Sequence, residues 1–300
     1  MTSDAAPQSL QDYISPSVWK THSYAISNSN PKSLMRPGKA SPMQTAFTQL
    51  RLIDAALPFS SATSVLDIAC GPGTVYKCLF DLSPSLSVPA SCALLATDIS
   101  APMIAHITAR QSDPLPGDEG TWSRINAWVA DATDLSIVSD GSQSHVISQM
   151  GIFLIPDSDA ALREVKRVMR KDGNAVFSMS SVAETTWNSD VMGVIEEMWP
   201  ERRMPRVNAK WRDVDSFRGE LERNGFSKVE IHEVKMAMGF DDERELVEGL
   251  WKALPFMKSL TEGMTEEDMS RTKDVMVERV KERFPEKELP GKALVAVAFL

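Results

Sequence analysis

Three acids and a glycine turn are the residues of this chain whose types and spacing could do chemistry. Asp67 lies in Val65-Leu66-Asp67-Ile68-Ala69-Cys70-Gly71-Pro72-Gly73-Thr74, where a short apolar run meets a turn that opens a helix. Gly71 and Gly73 lack side chains, so a ligand can approach the backbone there closely. Asp98 closes a second apolar run, Ala93 to Thr97, and Asp131 closes a third, Ala127 to Ala130. A carboxylate at a strand's carboxyl end can accept both hydroxyls of a ribose, and such charge-assisted bonds are the strong ones. An acid at the next strand end can accept an amino group of a base, while Ala132 offers its backbone. Taken singly, each feature has a plainer alternative: an ordinary strand-to-helix turn, a helix N-cap, a solvated loop acid. Ser100, followed by Ala101-Pro102, is the better cap, which leaves Asp98 and the adjoining Ile99 for a ligand. Met103 falls one turn into that helix and could pack on a base.

The type of ligand follows from what surrounds the turn. A dinucleotide redox cofactor asks for a third glycine three residues after the second, and Tyr76 stands there. Its pyrophosphate would also favour a helix N-terminus without an acid beside it. Asp67 suits a cation instead. S-adenosylmethionine carries sulfonium and ammonium groups and no phosphate, so the residues favour it over a nicotinamide cofactor.

These acids need strands to hold them at one edge. His145 to Ser148 reads as a fourth strand and Ala175 to Met179 as a fifth, with a helix between them carrying Leu162, Val165 and Met169 on one face and Gly173 after it. Strands separated by helix-length segments imply right-handed βαβ units and a parallel sheet. Val229 to Met238 reads as a sixth strand and Ala293 to Phe299 as the last, with helices around 243–260 and 265–284 between them. Upstream, Ser41-Pro42 starts a helix with Met43, Phe47, Leu50, Ile53 and Leu57 on its apolar face. The expected division is an N-terminal arm over 1–40 and one domain over 41–300. Within the domain, 61–181 is the cofactor core, 182–212 a lid, and 213–300 the C-terminal helices and last strands.

Composition narrows the function classes. A chain of 300 residues with 43 % hydrophobic residues can bury one large α/β core. A net charge of −9 disfavours non-specific nucleic-acid binding, which needs clustered Lys and Arg. No segment approaches about eighteen uncharged apolar residues, and the N-terminus lacks the basic and apolar regions of a secretory signal. Cys70, Cys78 and Cys92 have neither zinc-site spacing nor a neighbouring histidine pair, so no metal is expected, and a sparse odd set of thiols fits the cytoplasm. The partner expected is a small molecule; nothing in the pattern sets an oligomeric state.

The ordered pieces VLDIACGPG (65–73), ATDIS with Met103 (96–103), VADATDL (129–135), DSDAALREVKRVMRKDG (157–173) and AVFSMS (175–180) resemble the class I S-adenosylmethionine-dependent methyltransferases. The resemblance is good over roughly residues 43 to 180 and looser beyond. It is nearest the ubiquinone/menaquinone-biosynthesis-type branch, and in layout it is similar to fungal secondary-metabolite enzymes such as the gliotoxin bis-thiomethyltransferase. It implies a Rossmann-like seven-stranded, mostly parallel sheet with an antiparallel last strand and helices on both faces. It also implies S-adenosyl-L-methionine bound by Asp67, Ala69, Gly71, Gly73, Asp98, Ile99, Met103, Asp131, Ala132 and Gln149. One departure is Ala69, where the family's D-x-G-x-G-x-G has its first glycine.

The acceptor side is less determined. Ser148-Gln149-Met150-Gly151-Ile152-Phe153 is not the Asn/Asp-Pro-Pro-Tyr/Phe segment of methylases acting on nucleobase or amide nitrogen. Met150 and Phe153, with Trp187 and Trp211 of the lid, are candidates to line a pocket for a small, mostly apolar metabolite; the plainer alternative is that they pack the core. Methyl transfer from a sulfonium depends mostly on positioning and desolvation. A base is needed only for a protonated acceptor, and His22 or Tyr24 of the arm are weak candidates for it; His106, His145 and His232 read as structural. Thiol sulfur is the favoured acceptor, with nitrogen or oxygen as alternatives. A nicotinamide oxidoreductase, or a cofactor-binding protein without methylation activity, would share much of the pattern.

Overall fold

The computed structural model describes Lys20 and residues 42–82, 85–114, 120–254 and 256–300. Helix α1 (Pro42–Ala56) begins at the proline expected to open it. The chain then alternates through β1 (Ser64–Ile68), α2 (Thr74–Asp81), β2 (Ala93–Asp98), α3 (Ala101–Ser112), β3 (Ile125–Val129), β4 (His145–Ser148), α4 (Ser158–Val168) and β5 (Val176–Thr185). A π-helical turn (Trp187–Met192) leads into α5 (Val194–Met198). The C-terminal part holds α6 (Val214–Arg223), β6 (Ser227–Gly239), α7 (Glu243–Ala253), α8 (Met257–Leu260), α9 (Glu266–Arg283) and β7 (Glu288–Phe299).

The seven strands form one sheet in the order β3-β2-β1-β4-β5-β7-β6. β7 runs antiparallel to both β5 and β6, and the pairs β1–β2, β1–β4, β2–β3 and β4–β5 are parallel. This is the expected Rossmann-like sheet with an antiparallel last strand. The strand order reverses between β1 and β4, and in such sheets the crevice for a ligand opens at the carboxyl ends there.

Successive strand residues face opposite sides, so a strand covered on both faces must be apolar throughout. One face carries Val65, Leu94, Ala96, Ile147 and Val297, packed under Leu50 and Ile53 of α1, Leu79 of α2 and Ile107 of α3. The other carries Leu66, Val146, Phe177, Met179 and Leu294, packed under Leu162 and Val165 of α4 and Phe217 and Leu221 of α6. Side-chain caps fix where the helices begin: Ser100 Oγ accepts from Met103 N–H, and Asp157 and Asp213 do the same for α4 and α6.

β5 differs from the expectation. Its apolar run ends at Met179, but the strand continues to Thr185, because β7 pairs with it from Phe177↔Ala298 through Thr185↔Gly291. The stretch 182–212 is therefore divided three ways. Residues 182–185 extend the sheet. Val191, Met192, Val194, Ile195 and Met204 pack with Val247, Leu250, Met276 and Val280 of α7 and α9 into a separate apolar cluster. Residues 209–211 turn back so that Trp211 joins the main core.

Candidate cofactor and acceptor site

The β1 turn is held by backbone bonds and by one acid. Cys70 N–H donates to Thr97 O at 3.0 Å, tying the turn to β2, and Gly73 N–H donates to Cys70 O at 3.1 Å. Asp98 clamps the turn: Oδ2 accepts from Gly71 N–H at 2.9 Å, and Oδ1 accepts from Ser100 N–H at 2.8 Å. Ser100 is the N-cap as expected, yet Asp98 is not left idle by it. Gly71 and Gly73 have φ of 53° and 89°, the left-handed region that glycine enters without a steric cost. A side chain at Gly73 would collide with Trp122 at 2.8 Å, whereas Gly71 has nothing within 4 Å of where one would stand. Gly71 thus presents open backbone and Gly73 permits helix packing.

Asp67 is fully buried, and neither of its carboxylate oxygens has a hydrogen-bond partner among the described residues. Burial pushes its carboxyl well above the usual carboxylate range, and the nearby Asp98 charge adds to this. Burial also raises Asp98, against the lowering effect of the Ser100 and Gly71 amides. None of the groups that set these two values is a basic side chain. A buried and a half-buried acid without a basic partner among the described residues, beside an open glycine backbone, fit a cationic ligand such as S-adenosylmethionine, with Asp67 and Asp98 as the residues that would hold it. When bound, that group supplies an electrophilic methyl.

Tyr76, in the place of the dinucleotide fingerprint's third glycine, is fully buried, with its hydroxyl 2.7 Å from Leu95 O and 2.9 Å from Val65 O. It fills the space between α2 and the sheet that the missing side chain would otherwise leave. Asp131, at the end of β3, accepts from both the N–H (2.9 Å) and the hydroxyl (2.8 Å) of Thr133. It stands beside the end of β2, where Ala130 N–H donates to Asp98 O. Ile99 is half-buried; Met103 and Ala132 are buried.

On the acceptor side the β4 loop reaches the β1 turn. Gln149 and Met150 are half-buried there. Met150 takes a left-handed φ of 56° and donates its N–H to Ser180 Oγ of β5 at 3.0 Å. It packs with Leu52 of α1 and Met236 of β6 around Val234, Ala293 and Val295. Phe153 lies in the main core. Trp211 is also a core residue: it is 0 % exposed and packs edge-on to Phe217 at 5.3 Å. Trp187 lies with the helical cluster of α5, α7 and α9, well apart in sequence from the β4 loop. His22 and Tyr24 lie outside the described residues. His145 is structural as expected, bonded to Leu57 O and Ser144 Oγ, both at 3.0 Å, and stacked on Phe59. Sequence reasoning missed Ser180, Gly151, Leu52 and Met236; only Gly151, a glycine three residues past the end of β4, carried a visible signal. No group of three or more His, Cys, Asp or Glu among the described residues could hold a metal.

An open α/β sheet with a glycine turn and two uncompensated acids at its switch point defines a cofactor-binding protein of the Rossmann-like kind. Residues 65–173 match the family described as "Methyltransferase domain". Methyltransferase ucsB of Acremonium sp is 26 % identical over 252 residues, 83 % of this chain and 85 % of that protein. Methyltransferase tpcH of Aspergillus fumigatus is 28 % identical over 181 residues, 57 % of this chain and 60 % of that one. In fold, the chain is similar to the YcgJ protein of Bacillus subtilis, with a TM-score of 0.50 at 13 % identity, covering 84 % of this chain and 98 % of that one. Residues 65–173 are a methyltransferase domain, and the chain is an S-adenosylmethionine-dependent methyltransferase with S-adenosylmethionine as its methyl donor. No helix among the described residues is long and apolar enough to cross a membrane.

Proposed function

We propose that the enzyme methylates a small, mostly apolar metabolite of secondary metabolism, and that a thiol sulfur is the atom methylated. The observation that carries this reading is the half-buried group of Leu52, Met150 and Met236, three apolar side chains around Val234, Ala293 and Val295, with Met150 on the loop whose Gly151 meets the β1 turn at Ala69. Flexible thioethers adapt to an irregular apolar ligand, and such a wall excludes water from the reacting atoms. In this reading Asp67, Asp98 and Asp131 bind and orient the donor, with the Gly71 and Gly73 turn beneath it. Met150 and its neighbours hold the acceptor in line.

The thiol preference rests on what the described residues lack as a base. His145 is committed at the amino end of β4, His106 lies on α3, and His232 lies along the edge strand beside Glu230. A thiol is intrinsically nucleophilic and partly ionised near neutral pH, so it asks least of the protein. The buried free thiols Cys70, Cys78 and Cys92 agree with action in the cytoplasm. The test is incubation with S-adenosylmethionine and matched small apolar thiols, amines and phenols, following S-adenosylhomocysteine and the methylated product by mass spectrometry. Methylation confined to amines or phenols removes the thiol assignment. Turnover only of large polar acceptors removes the apolar-metabolite reading.

A further inference from the structure

Four non-glycine residues among those described take a positive φ: Ala69 (53°), Met150 (56°), Lys228 (47°) and Lys287 (54°). Lys228 lies in the irregular start of β6 and Lys287 just before β7. Ala69 and Met150 are different. They lie just past the carboxyl ends of the neighbouring strands β1 and β4, on the two loops that meet at the site. The left-handed region disfavours a side chain, and strain of this kind persists only where the surroundings hold it.

The residue between these loops shows what holds them. A methyl at Gly151 would stand 2.7 Å from Ala69 Cβ, 2.7 Å from Ser148 Oγ and 3.5 Å from Ile68 O. Real Cβ atoms do not approach so closely, so the β4 loop sits against the β1 turn only because Gly151 has no side chain. Ala69, where the family has a glycine, puts its methyl into that space. One glycine is replaced on the donor side, and a glycine on the acceptor side receives the methyl. The loop is fixed from behind by the Met150 N–H bond to Ser180 Oγ.

We propose that Ala69 and Gly151 are a size-matched pair that sets the distance between the donor-binding turn and the acceptor-side loop, making Gly151 a positioning residue for methyl transfer. The pair rests on the cofactor reading of the β1 turn and is independent of the acceptor's identity. A displacement of the β4 loop by one methyl moves Met150 and Gln149 relative to the turn. Shifts of about 1 Å at such a place can cost on the order of 100-fold in rate.

The experiment is a mutant cycle on the full chain: Ala69→Gly, Gly151→Ala and the double variant. Each is titrated with S-adenosylhomocysteine by calorimetry and unfolded thermally without ligand. Binding by the parental protein tests the cofactor reading itself; the ratios among variants test the pair. Gly151→Ala is expected to weaken binding about ten-fold or more, by more than its thermal midpoint accounts for. The double variant is expected to return to within about three-fold of the parent, since the Ala69 methyl is removed and Ser148 Oγ, which has no hydrogen-bond partner among the described residues, can rotate aside. A double variant as weak as Gly151→Ala overturns the proposal, as does a Gly151→Ala protein that binds like the parent. Should Gly151→Ala fail to fold, a double variant that folds supports the pair, and one that also fails overturns it. Ser180→Ala is the second probe. A several-fold loss of affinity with little change in thermal midpoint supports the positioning role, and parental affinity refutes it.

Discussion

Replacing Asp98 by alanine tests the clamp on the glycine turn. The substitution removes acceptors for Gly71 N–H at 2.9 Å and Ser100 N–H at 2.8 Å. Hydrogen bonds to a charged group contribute about 1.5–3 kcal/mol each, so the gross loss is about 3–6 kcal/mol. Two effects offset it. Burial raises the Asp98 carboxyl, so the ionised form is a cost to the folded state that truncation removes. The Gly71 amide is half-exposed and can turn to water. A net loss of about 1–3 kcal/mol remains, which for a domain of this size lowers the unfolding midpoint by about 2–5 °C. Donor binding should suffer more, because on the proposed assignment of Asp98 to the donor's ribose the variant loses two acceptors as well as the set of the turn. Two further bonds at the lower bound of 1.5 kcal/mol amount to about 100-fold in dissociation constant. Calorimetric titration with S-adenosylhomocysteine, alongside differential scanning fluorimetry, reads both quantities. Parental affinity in a destabilised protein would show that Asp98 only braces the turn and refute its assignment to the cofactor.

Asp67→Asn is expected to weaken S-adenosylmethionine binding while stabilising the ligand-free protein at neutral pH. The carboxyl is raised in the folded state, so its contribution is favourable below the ordinary aspartate value and is lost as pH rises through the folded value. Denaturation across that window should show the variant's advantage growing with pH; a pH-independent difference would argue against a buried charge. Trp211→Ala, in the main core, is expected to cost about 3–5 kcal/mol, whereas Trp187→Ala, half-buried, should cost less than half as much. Equal losses in chemical denaturation would contradict the placement of Trp211.

The strands of the parallel half of the sheet were legible because each signal is local. β1, β2 and β3 each have an acid within two residues of their carboxyl end, and after β1 two glycines follow within a few residues. What the acids do is not local. Asp98 reaches Gly71 across 27 positions, and Gly151 meets Ala69 from 82 positions away, so neither contact leaves a periodicity to read. The end of β5 was missed for a related reason. Ser180 to Thr185 carries little apolar pattern, and its pairing is dictated by β7, more than a hundred residues on. Trp187 and Trp211 are alike in sequence, but one joins the helical cluster and the other the main core, a choice made by tertiary packing alone.

The position of β7 has a consequence for how the chain must fold. β7 lies between β5 and β6, so those two strands are joined in the sheet only through it. Strands β1 to β4 can pair with one another, and β5 with β4, as soon as residues 64–185 are available. β6 has no partner in the sheet until Glu288–Phe299 arrives, after α7, α8 and α9. Closing such long-range pairs is slow, because loop entropy is lost before contacts compensate. During synthesis, therefore, the half that carries the β1 glycine turn assembles first, and β6 waits with an unpaired edge until the twelve residues of β7 have been made.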